Sequence, residues 1–210
     1  MHLVLVTPAP EIQRLNASAF VWQQYDPAVK AEQCSCGIAT SAGVYLVDPI
    51  LVEEDVLAQA LGEATVAGVI VTNVNHARAS LALATLFDVP LHSHPEARTA
   101  LDTDEVVAIG YGAGSPPGLT SIHLKGAPEG EVALHCGRAG GTLIIGDALI
   151  NFGSDGFAFL PAKYCTDAKQ MRRSIRQLMD LDFEQLLFAH GTPISTRAKA
   201  RLAELLDGGS

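Results

Sequence analysis

The sequence has few charged residues, and most of them are acidic. Among 210 residues there are 14 lysines and arginines against 23 aspartates and glutamates, a formal net charge of −9. Such a chain repels phosphate backbones and anionic lipid headgroups, so nucleic acid and membrane surfaces are not expected as partners. No apolar run approaches the roughly 20 residues of a transmembrane helix. The start, Met1–Pro8, lacks the features of a signal peptide, and a cytoplasmic protein is expected.

Cysteine is also scarce, with four residues at Cys34, Cys36, Cys136 and Cys165. Cys34 and Cys36 lie in a predicted strand, where alternation places both thiols on one face. Metal-binding cysteine pairs usually keep two or more residues between them, and no second pair follows. We therefore interpret all four as small apolar residues in a reducing compartment.

Hydrophobic residues make up 48% of the chain, enough for the core of one domain covering residues 1–210. Short β-branched or alternating runs predict strands, and apolar residues at three- and four-residue spacing predict helices. The predicted strands are 3–6, 19–24, 34–40, 44–47, 69–71, 105–109, 120–125, 141–145 and 185–188, and the predicted helices are 53–61, 78–87, 167–181 and 195–206. A tight turn at 41–43 predicts a hairpin between two of these strands.

The most informative stretch is the buried strand Val69-Ile70-Val71, which passes through a polar cluster directly into a helix. Side chains in such a cluster lie at the carboxyl edge of the strand, where α/β folds form their pockets. The polar residues of this cluster are Thr72, Asn73, Asn75, His76 and Arg78.

This stretch resembles the metal-binding turn of the metallo-β-lactamase superfamily, which reads Thr-His-x-His-x-Asp-His. On that pattern Asn73 and Asn75 replace the first two histidines, Ala77 replaces the aspartate and Arg78 the last histidine. All four ligands of the turn are lost. His76 falls at a variable position, where an exposed turn residue is favoured over a pocket residue.

Four further landmarks follow the same resemblance. Ala127 replaces the ligand histidine of Gly-His-Thr-Pro-Gly-Ser, whereas Asp147 after Gly146 and His190 before Gly191 match a retained aspartate and a retained histidine. Asp48 matches an aspartate that ends a strand. It is either a carboxylate that orients the polar turn or a plain strand-end residue, and the second interpretation is favoured.

The resemblance extends from about residue 34 to residue 206. It implies an α/β fold in which two mixed sheets pack face to face with helices outside, the four-layer αββα sandwich of this family.

The resemblance also implies a pocket for one or two metal ions, commonly zinc. Of the first ligand set, Asn73, Asn75 and Ala127 are poor zinc ligands or none. The second set keeps Asp147 and His190. Our hypothesis is that the guanidinium of Arg78 replaces the second metal and pairs with Asp147 beside His190, so that no cofactor is bound. The alternative is a single, weakly held Zn, Mn or Fe ion on Asp147 and His190.

Two functions follow from these alternatives. The first is a metal-independent binding or regulatory protein with a small, anionic ligand held by Arg78, Asn73 and Asn75. The second is a hydrolase of the superfamily acting on an ester, thioester or phosphodiester, with one weakly held metal or with His190 as general base. A nucleophilic serine is a weaker third option, because residues 153–156 fall one residue short of Gly-x-Ser-x-Gly.

Other histidines and glycines are interpreted as structural. His92 and His94 would point the same way from a strand, but two ligands without a third do not make a zinc site. His135 is expected in a strand. The stretch 110–118 is rich in glycine and proline but lacks the Walker pattern, so it is expected to be a surface loop.

Overall fold

The computed structural model describes residues 8–27, 30–110, 114–152 and 156–208. The predicted strand 3–6, residues 111–113 of the glycine-rich stretch and residues 153–155 of the serine-containing stretch lie outside these ranges.

Seven strands form the first sheet. They are β1 (Gln13–Arg14), β2 (Ala19–Asp26), β3 (Ala31–Thr40), β4 (Gly43–Val47), β5 (Val66–Val71), β6 (Leu91–Ser93) and β7 (Val106–Ala108). They lie side by side in chain order. Strands β1 to β4 are antiparallel, and β4 to β7 are parallel. The predicted hairpin is confirmed, because Thr40 of β3 pairs with Gly43 of β4.

Six further strands form a second sheet and a hairpin. They are β8 (Thr120–His123), β9 (Val132–Cys136), β10 (Thr142–Ile145), β11 (Leu149–Phe152), β12 (Gly156–Phe159) and β13 (Gln185–Phe188). The second sheet has the order β13-β10-β9-β8, with β10 and β13 parallel. Strands β11 and β12 pair with each other as an antiparallel hairpin, a structure that the sequence did not predict.

Four α-helices accompany the sheets: α1 (Glu54–Leu61), α2 (Ser80–Phe87), α3 (Ala168–Arg176) and α4 (Ala198–Gly208). Asp167 caps the N-terminus of α3, since its Oδ1 accepts hydrogen bonds from the backbone N–H groups of Lys169 and Gln170, both at 2.9 Å. Helix α4 starts later than predicted because Arg197 has a φ of 55°, outside the helical range. Within the described ranges, no helix has the length and apolarity needed to cross a membrane.

Alternation along the strands divides the apolar side chains into three layers of core. In β5, Val69 and Val71 pack with α1 and α2, whereas Ile70 faces the second sheet. In β10, Leu143 packs with α3 and α4, whereas Ile144 faces the first sheet. Because successive residues of a strand point to opposite faces, each sheet has helices on one side and the other sheet on the other. The fold is a four-layer αββα sandwich.

The parallel strands bring the polar landmarks to one edge. Ile145 of β10 pairs with Phe188 of β13, and Asp147 and His190 each follow two residues later. Both side chains therefore leave the second sheet at the same level. The polar cluster after β5 meets them there, because Val132 N donates to the Thr72 carbonyl at 2.8 Å and joins the two sheets at this edge.

Candidate functional site

Two imidazoles and one carboxylate converge at this edge. His76 Nε2 lies 3.2 Å from Asp147 Oδ1, and His190 Nε2 lies 3.3 Å from the same oxygen. The three ligand atoms all lie within 4.8 Å of one another. His76 and Asp147 are buried and His190 is half-buried, so the cluster is open mainly on the side of His190.

His76 is held from behind by Asp48 and Thr72. Its Nδ1 lies 2.9 Å from Asp48 Oδ2 and 3.0 Å from Thr72 Oγ1. The other oxygen of Asp48 accepts the backbone N–H of Thr72 at 2.8 Å. Asp48 therefore orients the polar turn, and the favoured interpretation of it as a plain strand-end residue is wrong.

The expectation that His76 is an exposed turn residue is also wrong, since only 1% of it is accessible. The reason is the turn that follows β5, in which the Asn73 carbonyl accepts the His76 N–H at 3.2 Å. The side chain of Asn73 accepts the N–H of Asn75 at 2.8 Å and tightens the same turn. This turn directs the ring of His76 inward, against Asp48 and Thr72.

His190 is held in the same manner, with Nδ1 2.9 Å from the Glu32 carbonyl. A carbonyl only accepts hydrogen bonds, so Nδ1 carries the proton and the Nε2 lone pair of a neutral ring faces Asp147. Asp48 has the corresponding effect on His76. An outer acceptor on each Nδ1 is the arrangement that orients metal-ligating histidines in proteins.

The second oxygen of Asp147 is occupied by the two asparagines of the turn. Oδ2 accepts hydrogen bonds from Asn75 Nδ2 at 2.9 Å and from Asn73 Nδ2 at 3.2 Å. The amides fix the rotation of the carboxylate, so that Oδ1 is the oxygen presented to His76 and His190.

Glu131 is the member of the site that the sequence did not reveal. It is completely buried, and its Oε2 accepts hydrogen bonds from Asn73 Nδ2 at 2.5 Å and from the backbone of Asp147 at 3.2 Å, while Oε1 accepts from the backbone of Ala148. Burial and the nearby Asp147 carboxylate raise the pKa of Glu131 to about 8. The only signal was an acidic residue at the serine position of the Gly-His-Thr-Pro-Gly-Ser pattern.

Steric crowding beside this carboxyl group explains why residue 146 is a glycine. A Cβ at that position would lie 2.9 Å from Glu131 Oε2 and 3.0 Å from Asn73 Nδ2, closer than such atoms ordinarily approach. The glycine of the retained Gly-Asp pair therefore makes room for the buried network.

Arg78 does not pair with Asp147, and this prediction is wrong. Its Nη1 donates to the Cys34 and Asp48 carbonyls at 2.7 and 2.9 Å, and Nη2 donates to the Ala189 carbonyl at 3.3 Å. The left-handed backbone at Arg78, with φ of 41°, accompanies a side chain that extends toward the main chain of β3 rather than the carboxylate. Because these donors are used internally, the guanidinium offers little to an external anion.

The charges at the site influence one another strongly. Burial disfavours a charged His76, but the carboxylates of Asp147 and Asp48 outweigh it and raise the pKa of His76 to about 9. Burial also opposes ionisation of Asp147, yet His76 and His190 hold its pKa well below the usual value. Burial, together with the charge of His76, lowers the pKa of His190.

The donor set fits one divalent ion and not the two ions of the family pattern. The amides of Asn73 and Asn75 are committed to carboxylates, and Ala127 has no donor, so the first ligand set does not fit a metal. His76, Asp147 and His190 supply two imidazoles and a carboxylate. Their separations of 3.2 and 3.3 Å are close to the about 3.4 Å between ligands of a tetrahedral zinc with bonds of about 2.0–2.1 Å.

The other histidines within the described ranges lie outside this cluster. His92 of β6 is buried with its ring edge-on to Tyr45, at 5.9 Å between ring centroids, and burial lowers its pKa. His94 does not share a site with His92. It lies beside Glu96 and His123, an association that the sequence did not indicate. His135 is in β9, as expected.

Comparison with known proteins identifies the fold family. The family model of the metallo-beta-lactamase superfamily matches residues 13–208. A search of curated proteins found no match.

Solved structures with the same fold are distant in sequence. A metallo-beta-lactamase from Erythrobacter litoralis superposes with a TM-score of 0.72 at 15% identity, covering 94% of this chain and 96% of that chain. A metallo-beta-lactamase from Pontibacter korlensis gives 0.71 at 13% identity, covering 94% and 98%. DIM-1 metallo-beta-lactamase gives 0.72 at 11% identity, covering 96% and 100%. With the match to the family model over nearly its whole length, the chain belongs to the metallo-β-lactamase superfamily.

Proposed function

We propose that this protein is a hydrolase that uses one divalent metal ion, held by His76, Asp147 and His190. The observation that carries the proposal is the convergence of two imidazole Nε2 atoms on one carboxylate oxygen, with an outer acceptor on each Nδ1. Relative to the family pattern, His76 would supply the imidazole that Arg78 no longer can.

An ion held by these three residues would supply Lewis-acid chemistry, which polarises a carbonyl or phosphoryl oxygen and activates water. The chain's own residues prepare the site for it. Asp48 and Thr72 fix the ring of His76, Glu32 fixes His190, and Asn75 keeps Asp147 from rotating. These contacts hold the donors in place before a substrate arrives, as metal-assisted catalysis requires.

The substrate class follows from the same chemistry. An ester, a thioester or a phosphodiester each presents an oxygen that a Lewis acid polarises. Asn75 is exposed at the mouth of the site, where it is placed to contact a bound substrate.

Metal content tests this proposal. Protein purified without a histidine tag and without chelators is expected to retain Zn, Mn or Fe, and to hydrolyse p-nitrophenyl acetate, a model thioester or bis-p-nitrophenyl phosphate. His76→Gln, Asp147→Asn and His190→Gln should each remove the activity and the ion held at this site. Asp48→Asn keeps all three donors and should weaken metal affinity by about 10–100-fold, the usual effect of losing an outer partner.

The control for these variants is His135→Gln, because the ring of His135 in β9 is hydrogen-bonded to the Asp182 carbonyl and takes no part in the site. It should leave metal content and activity unchanged. Metal content and activity that are both unchanged from wild type in Asp147→Asn and His190→Gln would contradict the assignment of the site.

A second candidate is a metal-independent binding or regulatory protein. The observation that favours it is the position of His76 between two carboxylates, which raises its pKa to about 9 and places an imidazolium there at neutral pH. The proton would then take the place of the ion. Protein that is inactive on all three substrates, and that gains as much thermal stability from added Zn²⁺ as its Asp147→Asn variant does, would favour this candidate.

A further inference from the structure

A second group of metal-ligand side chains lies farther along the same edge, where β6 of the first sheet and β8 of the second sheet end. His94 follows β6 of the first sheet and caps a 3-10 helix, Pro95–Ala100, that contains Glu96. His123 is the last residue of β8 in the second sheet. Two histidines and a carboxylate thus come from elements that are far apart in the chain.

The three side chains are close enough to share one ion. Glu96 Oε2 lies 3.7 Å from His94 Nδ1 and 3.6 Å from His123 Nε2. The imidazole rings lie 4.0 Å apart between centroids, with an interplanar angle of 31°. One ligand atom from each residue lies within 4.8 Å of the other two. Imidazole and carboxylate are the donor types that zinc accepts besides thiolate.

The main chain already orients the carboxylate. The N–H of Gly130 donates to Glu96 Oε2 at 3.3 Å, and the N–H of Glu96 donates to His94 Nδ1 at 3.2 Å. Both contacts are long for N–H···O or N–H···N bonds, so an ion would displace only weak interactions. Gly130 is followed directly by Glu131, which belongs to the first site.

The cluster is reached from solvent through a cleft of about 310 Å³. Glu96 and His123 line this cleft, together with the stretch 124–129 and Thr166. The exposed fraction of the side chains falls from 55% at Glu96 to 10% at His123 and 3% at His94. A cation that enters from solvent would therefore reach the exposed carboxylate of Glu96 first and the buried imidazole of His94 last.

We propose that His94, Glu96 and His123 form a separate site for one Zn²⁺ ion, which ties the 3-10 helix of the first sheet to the end of β8 in the second. The site shares no residue with His76, Asp147 and His190, so it does not depend on the proposed function. Its effect is structural, because an ion there links two sheets and binds only the folded chain.

The stoichiometry of Zn²⁺ binding tests the proposal on the full chain. Protein stripped with a chelator and dialysed is titrated calorimetrically with Zn²⁺. Wild type is expected to bind two equivalents. Glu96→Gln and His123→Gln should each bind one, His190→Gln should also bind one, and His123→Gln combined with His190→Gln should bind none. Titration with Co²⁺, read by its visible absorption, reports on imidazole coordination at each site.

The outcomes separate the two sites. One equivalent in wild type that disappears in His190→Gln and persists in His123→Gln would overturn this inference and leave the proposed function standing. One equivalent that disappears only in His123→Gln would do the reverse. His135→Gln, which removes an unrelated histidine, should keep two equivalents, and far-UV circular dichroism verifies that each variant is folded.

Discussion

Arg78 uses its charged guanidinium to bind the main chain rather than a carboxylate or a ligand. Its guanidinium joins β3, the end of β4 and the residue after β13 through three carbonyl oxygens. Two of these oxygens have another donor, since Ser35 Oγ also bonds to Asp48 O and Cys34 N to Ala189 O. Arginine suits this role because its planar fork presents several donors at once.

Arg78→Ala is expected to lower the free energy of unfolding by about 2–3 kcal/mol, because charged donors to buried carbonyls contribute about 1.5–3 kcal/mol each and the Asp48 and Ala189 acceptors keep another partner. Urea denaturation at neutral pH measures the difference.

Arg78→Lys is the matched variant. It also carries a Cβ at the φ of 41°, so backbone strain is unchanged, but a single ammonium cannot reach all three oxygens. It should recover only part of the loss. Full recovery by lysine, or a cost below about 0.5 kcal/mol for alanine, would show that the three bonds contribute little.

At the scale of elements, local patterns predicted most strands and helices. The continuous apolar runs 69–71 and 143–145 reflect burial on both faces of a sheet, and the Asp167 cap marks the start of α3. The hairpin β11–β12 was not predicted, because its four-residue strands carry the polar and glycine residues typical of loops.

The candidate site was less predictable than the sheets. Asp147 and His190 follow paired strands, so their positions could be inferred from the order of the landmarks. The inward position of His76 depends on the turn at 73–76, and the role of Glu131 depends on contacts across two sheets. The spacing of residues in the sequence contains neither kind of information. The prediction that Arg78 pairs with Asp147 failed for the same reason, because the contacts of Arg78 also depend on the folded main chain.

The hairpin β11–β12 lies against the segment that carries His190. Gly191 has a φ of 100°, and a Cβ there would clash with the backbone carbonyl of Asn151. The pair Asn151–Gly191 also forms an isolated bridge between the two elements. This close approach sets the position of His190.

Gly191→Ala is therefore expected to destabilise the protein by more than the about 1–3 kcal/mol that an unfavourable positive φ costs alone, and to weaken Zn²⁺ binding at His190. Gly156→Ala, in the same hairpin, is the control, since its φ is 78° but its Cβ would meet nothing within 4 Å. Thermal denaturation with and without Zn²⁺ compares them. Equal losses in both variants would show that the contact with Asn151 is unimportant.

On the scale of the whole molecule, the middle layer of core holds the sandwich together. Leu134 and Ile144 of the second sheet pack with Tyr45, Val47 and Ile70 of the first. The only tryptophan, Trp22, lies on the far side of the first sheet with its indole N–H bonded to the Ile50 carbonyl at 3.1 Å. Its fluorescence therefore reports on the layer most distant from α3 and α4.

Leu134→Ala should reduce the free energy of unfolding by about 2–5 kcal/mol, the usual cost of a cavity at a fully buried leucine. If the two sheets unfold together, Trp22 fluorescence and far-UV circular dichroism should shift to the same new midpoint. Val107→Ala, at a position 48% exposed, should change stability by less than about 0.5 kcal/mol. A circular dichroism midpoint that moves while the fluorescence midpoint stays would mean that the sheets unfold separately.

The buried carboxyl group of Glu131 limits how this pocket could be re-engineered. Returning the family's histidines to positions 73, 75 and 127 would bring a new imidazole against an acid already bonded to residue 73 and to the backbone of residues 147 and 148. A designer would first have to shorten residue 131 to serine. The two-metal arrangement of the family pattern is therefore disfavoured by Glu131 as well as by the residues present at positions 73, 75 and 127.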